Sequence, residues 1–417
     1  MVLKKTIVEK ILSKKSGRDV CAGEIVETEV DVLMGHDPLI AMIINDFENL
    51  SGKIWDKDKL IFIADHFAPP ASVERAGVLK KFLDFTKKHD IKNFYMFSGI
   101  CHQILAEHPD IAPGKIVIGT DSHTVMLGTL NCLATGMGST DALYIMLKGQ
   151  TWMRVPETYR IDIIGNKPKW ILGKDIILEV LRRLGESGAI YKSLEFHDET
   201  DNKISMASRF SISNMSVEAG AKVGIFSFDK ITEDFLKQKN SNFERVDADE
   251  NVNYEKTFTI DISNLEPLVA KPFSPANVVP VNDVKGIELD QVFIGSCTGG
   301  RLEDFRIAAK ILEGKKVKKF LKVIAIPSSV KIYLECLKRG YIQTLLEAGV
   351  AISNPSCGPC GNIDKGIISS GERVVSTSNR NFRGRMGALD GDIFLTSTAT
   401  AAASALEGKI TDPRDYL

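Results

Sequence analysis

The chain has 417 residues, 44% of them hydrophobic and 26% charged, which is the composition of a folded protein and excludes a disordered one. A length of this order suits two or three domains that bury enough surface to fold without disulfides or a structural metal. Lys+Arg is 53 against Asp+Glu 54, a net charge of −1, which removes any global electrostatic reason to bind nucleic acid or an anionic membrane.

The N-terminus carries a charged residue every few positions. It reads as a short amphipathic helix with Ile7, Ile11 and Leu12 on one face, not as a secretory signal. Glu9 and the scarcity of Arg argue against an organelle presequence. No run reaches the roughly 18 apolar residues of a membrane span. Seven cysteines, an odd number with no secretion signal before them, are expected as thiols or ligands in the reducing cytoplasm.

Three domains are expected. In the first, 1–156, strand-like runs fall at 60–64, 93–97 and 116–118, helical spacing at 77–88, and a Gly- and Ala-rich helical segment after 124. Two of these strands end on chemistry-bearing residues, Asp65-His66 and Asp121-Ser122-His123-Thr124. The second domain, 157–275, opens on period-two alternation at 160–164, followed by an amphipathic helix at 174–184. Asn214 to Gly220 reads as a helix start capped by Asn214, with Glu218 in its first turn. A Pro-rich stretch, 265–284, marks the second boundary. In the third domain, 276–417, strands at 291–294, 321–326, 349–352, 373–376 and 392–395 alternate with helices at 302–313, 329–339 and 398–406. That alternation argues a parallel α/β sheet, whose ligands bind beyond the C-terminal ends of its strands.

The cysteines concentrate there. Ser296-Cys297-Thr298-Gly299-Gly300-Arg301 follows a strand and precedes a helix, and a loop of small residues there brings backbone N–H groups close to an anion or cluster. Cys357-Gly358-Pro359-Cys360 also follows a strand. A thioredoxin-like dithiol needs its second cysteine on a continuing helix, whereas Gly361-Asn362 follow here. A structural zinc wants four ligands, and there is no second C-x-x-C. Three cysteines at strand ends suit an iron–sulfur cluster. Spacing alone leaves cluster, dithiol, zinc and plain buried thiols open. Cys21, Cys132 and Cys336 are expected in the core; Cys101, beside His102, either packs or serves as a fourth ligand.

Any one histidine is most simply a hydrogen-bonded structural residue. Three of them, His66, His102 and His123, stand in unusual contexts, two of them with an adjacent or near-adjacent aspartate, and repetition argues acid–base chemistry. His36, His89, His108 and His197 are expected at the surface. Ser378 to Arg385 holds Arg380, Arg383 and Arg385, either a solvated basic loop or a clamp for carboxylate or phosphate.

Taken in order, Asp65-His66, His102-Gln103, Asp121-Ser122-His123-Thr124, Asn214 to Glu218, Ser296-Cys297-Thr298, Cys357-Gly358-Pro359-Cys360 and Asn379 to Arg385 resemble the aconitase superfamily. Within it they resemble most the large subunits of 3-isopropylmalate dehydratases and homoaconitases, as does the closing Gly408 to Arg414. The resemblance implies three aconitase-like α/β/α domains, with parallel or mixed sheets, around a central cluster. It implies one [4Fe–4S] cluster held by Cys297, Cys357 and Cys360, with a fourth iron open to act as a Lewis acid. The implied reaction is a reversible dehydration and rehydration of a hydroxy acid, isomerising 3-isopropylmalate and 2-isopropylmalate in leucine biosynthesis. Homoaconitate and dimethylmalate or citramalate-type acids are the alternative substrates.

By the same resemblance His66, oriented by Asp65, assists departure of hydroxide. His102 pairs with Asp121 and His123 with Glu218. Ser122 hydrogen-bonds a substrate carboxylate, Arg380 and Arg385 bind carboxylate or settle charge, and Asn214 and Asn379 lie beside the cluster sulfides. One departure is Gly299, where the family has Asn. The family's swivelling fourth domain is expected on a separate small subunit. A redox protein using Cys357 and Cys360 is a competing class, which predicts a fourth cluster ligand or a reversible disulfide. An iron-responsive RNA-binding role is disfavoured by the balanced charge and the missing domain.

Overall fold

The structure, a computed structural model, describes residues 4–50 and 52–416. The N-terminal helix Ile7–Ser16 is bounded by a Thr6–Glu9 capping box and by Gly17 in the left-handed region, and it buries Ile7, Val8, Ile11 and Leu12. A first sheet has five parallel strands in the order Asn93–Met96, Leu60–Ala64, Val32–His36, Ile116–Gly119 and Leu133–Gly136. Its centre reads as unbroken apolar runs because both faces are covered by helices. Strand Val32–His36 lies outside the runs expected from sequence, yet all five of its residues are buried.

The segment after 124 is not one helix. A 3-10 turn, Ser122–Leu130, is followed by strand Leu133–Gly136 and helix Ser139–Lys148. Its small residues serve close approach instead: a Cβ on Gly128 would sit 2.0 Å from the Gly224 carbonyl oxygen. Asn131 turns the chain in a left-handed conformation.

A second sheet is four-stranded and parallel, in the order Val223–Phe226, Ser193–Thr200, Thr158–Gly165 and Lys256–Asp261. Helix Gly173–Leu184 packs on it, with Ile176, Ile177, Val180 and Leu181 in the same core. Asn214 does not start a helix. Helix Met206–Met215 is capped by Ser205, Asn214 lies in its last turn, and Glu218 sits in the 3-10 turn Ser216–Ala219 beyond it. Residues 208–215 of the helix are all buried, so it lacks the polar face that makes a helix legible.

The third sheet has seven strands in the order Val278–Pro280, Leu268–Ala270, Asp392–Thr396, Arg373–Ser376, Gln291–Ile294, Lys322–Ala325 and Ala351–Ile352. The last five are parallel, and the first two form an antiparallel edge. The Pro-rich stretch expected to mark the second boundary supplies this sheet edge, where proline is tolerated. We propose three units that correspond to these three sheets, with the third beginning before Leu268. Ile100 N–H donates to the Ser328 carbonyl at 2.8 Å and stitches the first unit to the third. No helix among the described residues is long and apolar enough to cross a membrane.

The second unit is pinned by Arg209, whose side chain is 0% exposed. Its guanidinium meets Asp198 at 2.7 Å and Asp229 at 2.5 Å and lies over Phe226. Asp229 also caps helix Lys230–Gln238. Burial works to raise the Asp229 carboxyl, but Arg209 pulls it below its ordinary value. Its contribution to stability is then present above the unfolded carboxylate value and lost as pH falls through the depressed one. Arg209→Ala should lose about 3–5 kcal/mol in urea unfolding, because it strands the buried Asp198 carboxylate and the half-buried Asp229. In the same variant the loss of stability below about pH 4 that Asp229 causes should disappear.

Candidate active site

The strand ends of the first and third sheets face a common cavity of about 370 Å3. Its wall includes His66, His102, Asp121, His123, Cys297, Cys357, Cys360, Asn379, Arg380 and Arg385. Asp65, Glu218 and Asn214 stand directly behind it as partners of those residues. A larger cavity, about 550 Å3, lies across helix Cys101–Glu107 and holds none of the predicted site residues.

His66 comes just after strand Leu60–Ala64. Its Nδ1 lies 2.7 Å from Asp65 Oδ1, and the other oxygen of this fully buried aspartate accepts the Cys101 N–H at 2.6 Å. Nε2 of His66 has no protein partner among the described residues. Burial alone would lower the imidazole, but Asp65, Asp37 and Asp121 outweigh it and raise His66 to about 10.

His36, expected at the surface, is buried and stacks on His66 with ring centres 4.1 Å apart. Burial and the charge of His66 push it down to about 3. Asp37 accepts the backbone N–H groups of His66 and Phe67 at 3.2 and 2.9 Å. His36 ends strand Val32–His36 beside Asp37, a His–Asp pair in the reverse order of Asp65-His66. His108 is also buried, while His89 and His197 are partly covered.

A continuous relay runs along the opposite wall. His102 Nε2 lies 3.1 Å from Asp121 Oδ1, which also meets His123 Nδ1 at 3.2 Å and accepts the His123 backbone N–H at 2.8 Å. His123 Nε2 reaches Glu218 Oε1 at 2.8 Å, and Arg380 Nε donates to both Glu218 oxygens at 2.8 and 3.1 Å. Burial opposes ionisation of both carboxylates. The two imidazoles nevertheless hold Asp121 well below its ordinary value, and His123 with Arg380 lowers Glu218. Ser122 is not on the cavity wall. Arg383 turns away and stacks on Phe273 at 3.8 Å.

Four thiols border the cavity, those of Cys101, Cys297, Cys357 and Cys360. Cys297 Sγ accepts from Asn214 Nδ2 at 3.2 Å and Asn379 Nδ2 at 3.3 Å. Arg385 Nη2 points at Cys360 Sγ at 3.4 Å, and Cys357 Sγ lies 3.8 Å from Asp65 Oδ2. Burial pushes the Cys297 thiol up to about 11 and the Cys357 thiol well above its ordinary value, so deprotonation needs a bound cation. Groups of three ligand atoms within 4.8 Å of one another occur among the described residues, but Cys297, Cys357 and Cys360 do not form one. Three sulfurs around a single zinc would, since Zn–S is about 2.3 Å. The wider spacing and the amide and guanidinium donors aimed at sulfur fit a metal–sulfur cluster instead. No helix lies between Cys360 and strand Arg373–Ser376, as a thioredoxin-like dithiol would require. Cys101 is buried in an apolar cluster with Ile100 and Ile104 and borders the cavity; Cys132 and Cys336 are buried, and Cys21 is partly exposed.

Gly299 has a steric reason. A Cβ there would lie 2.3 Å from both Cβ and Oγ1 of Thr377. Thr377 Oγ1 accepts from the Gly295 N–H at 2.8 Å and donates to the Gly295 carbonyl at 3.0 Å, so it cannot move aside freely. Thr377 occupies the space that an Asn at 299 would enter.

The sequence matches the aconitase family (aconitate hydratase) over residues 9–408. It is 45% identical over 416 residues to 3-isopropylmalate dehydratase large subunit 1 of Methanopyrus kandleri, covering 99% of this chain and 100% of that protein. Identity to the methanogen homoaconitase large subunit of Methanocaldococcus jannaschii is 44% over 421 residues, covering 98% of this chain and 100% of that one. The fold is similar to the crystal structure of Thermococcus kodakaraensis aconitase X (holo-form), with a TM-score of 0.52 over 93% of each chain at 12% identity, a likeness of fold alone.

Gly299→Asn should cost about 1–3 kcal/mol in chemical unfolding through overpacking. Adding Thr377→Gly should recover part of that loss. An Asn tolerated without cost would show that the loop yields and that Thr377 does not exclude it.

Proposed function

This chain belongs to the aconitase family, and from that premise we propose that it is the large subunit of a hydro-lyase that interconverts 3-isopropylmalate and 2-isopropylmalate in leucine biosynthesis. The observation that carries the reading is one cavity walled by Cys297, Cys357 and Cys360 together with two carboxylate–imidazole systems. Homoaconitate is the second reading, favoured by the nearly equal identity to the methanogen homoaconitase large subunit.

Membership of the family implies an iron–sulfur cluster. We infer that it is [4Fe–4S], held by Cys297, Cys357 and Cys360, with Asn214 and Asn379 donating to sulfur. When bound, such a cluster supplies a Lewis-acidic iron for the substrate hydroxyl and carboxylate.

The remaining work falls to side chains. His66 is protonated because Asp65 answers its charge, and its Nε2 carries the proton that turns a departing hydroxide into water. Asp121 and Glu218 keep His102 and His123 in fixed orientations. Arg380 spends Nε on Glu218, leaving its terminal nitrogens for a substrate carboxylate. Arg385 Nε and His102 Nδ1 are buried without a protein partner, as expected of groups that meet a ligand. Ser122 is assigned a substrate carboxylate by resemblance to the family. A separate small subunit carrying the swivelling domain would cover the site. Exposed Phe382 and Leu389 on the arginine loop, with Ile367 beside it, support such a covering surface.

The test is anaerobic reconstitution followed by EPR, then assay of both hydroxy acids with and without a candidate small subunit. A three-iron signal that disappears when iron and reductant are added back is expected, as is turnover only in the presence of the second chain. A cluster that never loses iron would point to a fourth protein ligand and sink the Lewis-acid reading. Full activity of the lone chain would refute the separate subunit. Asp65→Asn should lower kcat by about 10²-fold or more with cluster content unchanged, because His66 loses the charge that keeps it protonated.

A further inference from the structure

Helix Gly173–Leu184 begins with a lysine that the chemistry above leaves unused. Lys174 is 2% exposed, and every hydrogen bond of its Nζ goes to an uncharged acceptor. These are Thr298 Oγ1 at 2.9 Å, the Thr377 carbonyl at 3.1 Å and the Ser378 carbonyl at 2.6 Å. The three contacts match the three N–H donors of an ammonium, one to each acceptor.

The three acceptors lie in two loops. Thr298 adjoins Cys297, and Ser378 precedes Asn379, whose Nδ2 donates to Cys297 Sγ. The Thr298 hydroxyl donates onward to the Thr377 carbonyl at 2.7 Å. A single cation from the second unit therefore joins two loops of the third, one carrying a cysteine and the other carrying the amide on its sulfur together with Arg380. A buried cation with no carboxylate against it is costly unless negative charge lies nearby. Burial lowers this ammonium to about 7, and Cys297 leads the groups that favour the charge, ahead of Asp304, Cys360 and Asp175. Three thiolate ligands would supply that negative charge.

We propose that Lys174 is a positioning residue for the cluster, a buried ammonium that answers its negative charge and locks the Cys297 and Asn379 loops together. The inference rests on the cluster reading of Cys297, Cys357 and Cys360. Removing the cation leaves the oxidised cluster relatively better solvated than the reduced one, so the potential falls.

The test compares the wild-type chain with Lys174→Met, Lys174→Gln and Lys174→Arg after anaerobic reconstitution. Two quantities are read: the midpoint potential by EPR-monitored titration, and the rate at which mild oxidation converts the four-iron to the three-iron form. Met and Gln should lower the potential and speed iron loss about 10-fold or more, while Arg, which keeps the charge, should hold the wild-type potential. Where Met fails to fold, Gln decides, since it keeps two donors without the charge. A Gln variant with wild-type potential and iron-loss rate overturns the proposal, as does an Arg variant that behaves like Gln. A wild-type chain that takes up no cluster sinks the cluster reading itself, a result distinguishable from a wild-type cluster indifferent to position 174.

Discussion

An ionised carboxylate is costly to bury unless its charge is answered close by, and the cavity of this chain keeps three that way. Asp65 is answered by His66 and by the Cys101 N–H, Asp121 by His102 and His123, and Glu218 by His123 and Arg380. Each pairing has consequences beyond stability. The carboxylate fixes the imidazole's orientation, and the imidazole holds the carboxylate ionised. Because the groups are linked in series, the protonation of one constrains the next. The stacked pair His36 and His66 shows the outcome most plainly: one ring is driven neutral and the other charged, although the rings are in contact.

The three sheets exist, in functional terms, to hold these residues at a common point. Parallel strands end on the same side, so loops remote in sequence converge. The first sheet brings Asp65, His66, Asp121 and His123, and the third brings Cys297, Cys357, Cys360, Asn379, Arg380 and Arg385. The second sheet contributes few residues to the cavity, yet Asn214, Glu218 and Lys174 all come from that unit. Its part is to anchor the loops of the other two, through the His123 imidazole of the first and through a sulfur, a guanidinium and two backbone carbonyls of the third. Arg209 in turn keeps that unit rigid from within.

Many of these elements are legible in the sequence. Run 60–64 declares itself as a strand because a doubly covered parallel strand is apolar throughout, and 291–294 and 373–376 keep an apolar pair at their centres. The loop at the end of each such run lies at one edge of its sheet, and that places Asp65, Asp121 and Cys297. Segments buried on all sides are hidden for the same physical reason. Strand Val32–His36 merges into the apolar helix Asp37–Leu50, so no boundary in the sequence marks His36 as a strand-end residue. Helix Met206–Met215 buries small polar residues against neighbouring backbone, so it shows no amphipathic period and Asn214 resembles a cap. The Pro-rich stretch 265–284 does not announce its strands, because proline signals interruption equally at a boundary and at a sheet edge.

The sequence by itself determined which chemistry the chain carries: three cysteines, three histidines with carboxylates, and an arginine loop, in an order that marks the aconitase family. Only the tertiary structure decided how they combine. Asp121 bridges two histidines rather than one, Arg383 leaves the site for Phe273, Thr377 fills the space beside Gly299, and Lys174 reaches across from another unit. The reason is that a motif reports residue type and local spacing, whereas a hydrogen bond of about 3 Å depends on where distant loops are placed. For Lys174 no local signal exists at all: in sequence it is the polar first turn of an amphipathic helix, and its role arises wholly from the two loops packed against it.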